Sequence, residues 1–103
     1  MSKKWEEYKN FVNGKWFEGV EKNNKILENS SLLFASLGLA GECGEFIEVI
    51  KKGHRVGREI DNEKAISEAG DVFFYYTKIL NELGITLEDV IEYNIRKLNK
   101  RYQ

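Results

Sequence analysis

Residues 31–53 read SLLFASLGLAGECGEFIEVIKKG, and their apolar side chains decide the fold class. Leu32, Ala35, Leu39, Cys43, Phe46 and Ile50 recur at intervals of three and four, the spacing of one helix face, where a strand would alternate. Ser30 or Ser31 can cap the start of this helix, and Gly53 offers a left-handed stop after Lys52. The loop GHRVGRE follows. Asp61 or Asn62 can then cap a third helix with the stripe Ile66, Ala69, Phe73, Tyr76, Leu80 and Leu83, ended by Gly84. Thr86 caps a fourth, with Asp89 at the third helical position and an apolar face of Val90, Ile91, Ile95, Leu98 and Tyr102.

Upstream, Trp5, Tyr8 and Val12 give a weaker helical pattern, and the structure of the glycine- and asparagine-containing stretch from Asn13 to Asn29 stays open. Proline is absent, so nothing forces a helix to break. The expected fold is all-α, a compact antiparallel bundle of about four helices in which the short Gly84-Ile85 connection sets the second, third and fourth side by side. Val72, Phe73, Phe74, Tyr75 and Tyr76 leave the third helix apolar on nearly every side. A helix of that kind needs partners all round, and the expected second partner is another copy of the chain, in a dimer or tetramer.

A length of 103 residues fits one domain, which at this size buries roughly 60 to 70% of its unfolded surface. Sixteen lysines and arginines against 17 acids give no broad basic surface for a nucleic-acid polymer. A lone cysteine, Cys43, cannot pair within its chain and reads as a small buried hydrophobe in a reducing compartment. The start, MSKKWEEYKN, has no signal-peptide core, and no apolar run approaches a membrane span. A cytoplasmic location is expected.

Two acid pairs carry the chemistry: Glu42 with Glu45 in GECGE, and Glu68 with Asp71 in EAGD. Residues three apart share a helix face at roughly 5 to 6 Å between Cβ atoms, close enough to hold one cation and repulsive without it. The spacing alone is common, since Glu18 with Glu21, Glu45 with Glu48, and Asp89 with Glu92 repeat it. The two chosen pairs differ in interrupting apolar surroundings. Gly38, Gly41, Gly44 and Gly70 fall inside helices at roughly 0.8 to 1 kcal/mol each relative to alanine, which points to close approach of the backbone by a neighbouring helix or a large anionic ligand. Carboxylates without a histidine or cysteine array select a hard cation, magnesium before manganese. A di-iron site needs histidines on the helices, and His54 is in the loop.

The runs GLAGECGEFIEVIKK from Gly38, SEAGDVFFYY from Ser67 and TLEDVIEYNIRKLNKRY from Thr86 resemble the MazG-like nucleotide pyrophosphohydrolases of the all-α NTP pyrophosphatase group. The match covers the chain from about Ser31 onward; residues 1–29 do not carry it, so the reading is one domain over 1–103 with its carboxylate-bearing core in 30–103. The resemblance implies cleavage of a nucleoside triphosphate between its α and β phosphorus atoms. It implies metal binding by Glu42, Glu45, Glu68 and Asp71, with Glu45 also aligning or deprotonating the attacking water.

On the fourth helix Asn94, Lys97 and Arg101 fall along one strip, and the resemblance implies a grip on phosphate oxygens there. Lys52, beside Lys51, has the same reading. Tyr75 shares a face with Glu68 and Asp71 and is read as lining the nucleotide pocket. Glu48 turns outward. His54, Arg55 and Arg58 are read as solvated, while Trp5, Trp16 and Phe17 are expected to be buried rather than stacked on a base. Two alternatives stand beside this one: an enzyme resembling phosphoribosyl-ATP pyrophosphohydrolase, and a helical interaction module whose acids only solubilise it.

Overall fold

The structure, a computed structural model, describes residues 3–21, 30–55 and 59–102. Helix α1 spans Lys3–Trp16 and runs into a π-helical turn, Phe17–Glu21; α2 spans Ser31–Arg55, α3 Asn62–Leu83 and α4 Leu87–Arg101. No strand occurs among the described residues, as the periodicity requires. Asp61 caps α3, its Oδ1 accepting from the Lys64 amide at 3.1 Å. Thr86 caps α4, its Oγ1 accepting from the Asp89 amide at 3.1 Å. Gly84, at φ 68, makes the left-handed stop of α3.

The other expected stop is corrected. Helix α2 continues to Arg55 and Gly53 lies inside it, buried. A Cβ at Gly53 would stand 2.9 Å from Ile60 Cγ1. The glycine serves the close return of the chain before α3, not a left-handed turn. Arg58 lies outside the described residues, as do 22–29 of the open N-terminal stretch.

The packed face of α2 is also displaced from the most hydrophobic one. Its buried residues are Ser31, Ala35, Val49 and Gly53, with Gly38 against Tyr75 between them. These small side chains let α2 and α3 approach closely, and that seam is the main contact of the fold. Leu32 and Ile50, expected in the core, flank it and are each 41% exposed. On α3, Ile66, Ala69 and Leu83 likewise stay exposed, because that helix divides its surface between α2 and α1.

Helix α1 closes the other side of α3. Trp5 and Tyr8 pack on Phe73 at ring separations of 5.8 and 5.3 Å, and Val12 and Trp16 are fully covered. Phe17 is exposed, contrary to expectation. A polar seam fixes the register: Asn81 donates to the Lys9 carbonyl and to Asn13 Oδ1 at 3.3 and 3.2 Å. Buried Lys78 is neutralised by Glu82 at 2.7 Å and donates to Asn13 Oδ1. Burying an ammonium is tolerable only with such partners.

Helix α4 has no buried residue and makes at most slight contact with the others. The expected side-by-side packing of α2, α3 and α4 is therefore corrected. The short link turns the chain but provides no surface opposite the apolar strip of α4.

Glycines 38 and 41 give opposed expectations. A Cβ at Gly38 would lie 2.6 Å from Tyr75 Cδ1, whereas one at Gly41 meets nothing within 4 Å. Gly41→Ala should raise stability by up to about 1 kcal/mol through helix propensity. Gly38→Ala should lower it, the overpacking cost of about 1 to 3 kcal/mol exceeding the same gain. Urea unfolding of both variants measures the two signs.

Candidate metal centre

Glu42 stands midway along the buried face of α2, and Glu68 and Asp71 stand three apart on α3. The α2–α3 seam brings one carboxylate oxygen from each to within 4.8 Å of the others. Glu42 and Glu68 are half-buried and Asp71 is exposed, so the group is rooted in the protein and open on one side. Oxygen donors without nitrogen or sulfur would suit a hard cation such as magnesium.

Burial, and then the charges of Asp71, Glu68 and Glu45, push the Glu42 carboxyl above the usual carboxylate range. Its ionised form is thus opposed by the very neighbours a cation would reconcile. Glu45 belongs to this field but not to the group of three. It lines an adjoining cleft of about 280 Å³ between α2 and the start of α3, together with Glu48 and Lys52 of its own helix and with Glu59, Asp61, Lys64 and Glu68. Glu68 belongs to both places, so the cleft opens directly onto the carboxylates.

Lys52 stands in that cleft as a cation beside the acids. Tyr75 does not: its ring fills the notch at Gly38 and meets Trp16 edge-on at 6.2 Å, so packing accounts for its position. Asn94 and Lys97 border a shallow depression with Ile85, Asp89, Val90 and Tyr93. Arg101 borders another with Lys97. Neither depression includes a carboxylate of the α2–α3 site. Glu48, expected to turn outward, is instead half-buried and lines the same cleft as Glu45 and Lys52, where Lys51 and Arg55 pair with it at 3.8 and 3.7 Å. Packing explains Gly38, while Gly41, Gly44 and Gly70 face open space, so a ligand is required to account for at most those three.

Two residues near the site, Tyr8 and Lys64, were not singled out from sequence. Tyr8, stacked on Phe73 of α3 at 5.3 Å, has its phenol raised by burial and then by the Asp71 charge. Its only sequence signal was the helical spacing from Trp5. Lys64 lies one turn before Glu68 and therefore shares its face, a signal that spacing could have given. No helix among the described residues is long and apolar enough to cross a membrane.

Residues 31–103 match the sequence model of the family described as the MazG nucleotide pyrophosphohydrolase domain. The chain is also similar to the Gene 37 protein of Mycobacterium phage L5, with 32% identity over 74 residues that take in 68% of this chain and 65% of that protein. It thus spans just under two thirds of that relative's length. No solved structure matches.

Proposed function

Since the chain belongs to the MazG nucleotide pyrophosphohydrolase domain family, we propose that it hydrolyses a nucleoside triphosphate to the monophosphate and pyrophosphate with magnesium held by Glu42, Glu68 and Asp71. The observation that supports this most is the convergence of those three carboxylates from two helices within 4.8 Å. Unaided, they would repel a triphosphate of about four negative charges, at separations where each unit pair is worth several kcal/mol. When bound, magnesium supplies the positive charge that joins phosphate to carboxylate, acidifies water and stabilises the leaving pyrophosphate.

The chain's own groups divide the remaining work. Glu45, in the adjoining cleft, orients the attacking water and takes its proton. Lys52, two turns further along the same helix, meets phosphate oxygens as a point charge. Tyr75 holds the wall behind the site through its packing against Gly38. Asn94, Lys97 and Arg101 project from α4 off the cluster, and no carboxylate of the site lines the depressions they border.

Self-association follows from exposed apolar side chains on the outer face of α2, where Leu33, Leu37 and Ile47 are 60, 62 and 54% exposed. Large apolar patches of this kind mark interaction surfaces. Light scattering at micromolar concentration should give a mass of at least twice 12.0 kDa; a single-chain mass would contradict it. The reaction is tested by phosphorus NMR of a panel of common and damaged nucleoside triphosphates. Monophosphate and pyrophosphate should form from at least one, with magnesium or manganese and not in excess chelator. Diphosphate with orthophosphate, or no turnover across the panel, would overturn the proposal.

A further inference from the structure

Helix α4 presents a problem that the single chain does not solve. It has 15 residues and none buried, and isolated helices of about 12 to 15 residues are marginal in water unless an apolar face is covered. Such a face exists. Leu87, Ile91, Ile95, Leu98 and Tyr102 follow one another at helical spacing, and Ile95 is 55% exposed.

The charges of α4 are divided along its length. Glu88, Asp89 and Glu92 all precede Tyr93, and Arg96, Lys97, Lys100 and Arg101 all follow Ile95. The helix dipole accounts for charges in the first and last turns only. Glu92, Arg96 and Lys97 are interior. A second α4 laid parallel would set base beside base and acid beside acid, whereas an antiparallel one sets each acidic half beside a basic half. The outer face of α2 cannot make this distinction, because residues 31–41 carry no charge. A uniformly acidic or basic partner would suit only half of the helix.

We propose that α4 is a contact between two copies of this chain, each lying antiparallel along the other about a twofold axis near Ile95, where the acidic and basic blocks meet. The apolar strips supply the attraction, and the divided charge sets the direction. This contact does not depend on the hydrolase reading.

The test uses the full chain with Cys43→Ser and one new cysteine at a time under mild oxidation. Near the axis, Ile95→Cys should cross-link to itself. Leu87→Cys should not, since eight residues on either side of an axis near Ile95 would set its copies about 24 Å apart along the helices. Mixing Ile91→Cys with Leu98→Cys should give a heterodimer in excess of either homodimer, a second reading if Ile95→Cys fails to fold. Self-linkage of Leu87→Cys would show parallel pairing and overturn the proposal. So would a dimer by light scattering in which none of these positions cross-links, or a monomer. Pyrophosphate release by the parent is measured separately, so a failure here is distinguishable from a failure of the activity.

Discussion

Asp71→Asn is expected to cut pyrophosphate release by about a hundredfold or more while leaving the fold intact. Asp71 is the exposed member of the three carboxylates, placed where a cation would meet both protein and phosphate. Losing one preorganised electrostatic group at a reacting centre typically costs about 100- to 1,000-fold. The amide keeps the size of the side chain and removes only its charge. Glu45→Gln should cut turnover by a similar factor but disturb metal affinity less, because Glu45 faces the adjoining cleft. Steady-state kinetics with a magnesium titration separates them: equal weakening of metal dependence in both variants would contradict the division of roles.

Trp16→Ala should remove about 3 to 5 kcal/mol of stability, the usual cost of emptying a buried tryptophan site. Trp16 is 1% exposed. Its Nε1 donates to buried Ser31 Oγ at 3.2 Å, tying the end of α1 to the start of α2. The Lys78 ammonium lies 5.4 Å from the ring centroid, and Tyr75 packs edge-on. Three helices therefore lose contacts together. Trp16→Phe keeps a ring but abandons the hydrogen bond, and should cost less. A loss under about 1 kcal/mol for Trp16→Ala in urea unfolding would show that α1 is dispensable to the core.

Residues 1–29 carry no family resemblance, yet Trp5, Val12 and Trp16 from that stretch supply half of the buried apolar residues among those described. Their helix was legible in the spacing of Trp5, Tyr8 and Val12, and so was the burial of Trp5 and Trp16; its register on α3 was not. That register rests on Lys78, Asn81, Asn13 and Lys9, polar residues that hydrophobic periodicity assigns to solvent. The same limitation displaced the core face of α2. Ser31, Gly38 and Gly53 pack because they are small, and a reading that follows the largest apolar side chains passes to Leu32 and Ile50.

Caps and stops were legible at Asp61, Gly84 and Thr86, where one side chain or one backbone angle satisfies a local need. Gly53 had the same look, but the approach of Ile60 could not be seen in sequence. At the site, the pairing of Glu42 with Glu68 and Asp71 could be expected from spacing on two adjacent helices. Glu45 stands a turn of α2 away from Glu42 and lines the adjoining cleft instead, and α4 makes at most slight contact with the helices that hold the carboxylates.

Scanning calorimetry of the parent and Asp71→Asn, each with and without magnesium, tests most directly whether the α2–α3 carboxylates hold the metal. A ligand that binds only the folded state adds about 2.7 kcal/mol at 100 times its dissociation constant. Magnesium should therefore raise the parent's melting temperature and raise that of Asp71→Asn much less. Without metal, the variant should melt no earlier than the parent, since it removes one charge from a crowded group whose repulsion already opposes Glu42 ionisation. Equal magnesium shifts in the two proteins, or an earlier melt of Asp71→Asn with no metal effect in either, would contradict the assignment of these carboxylates to a metal.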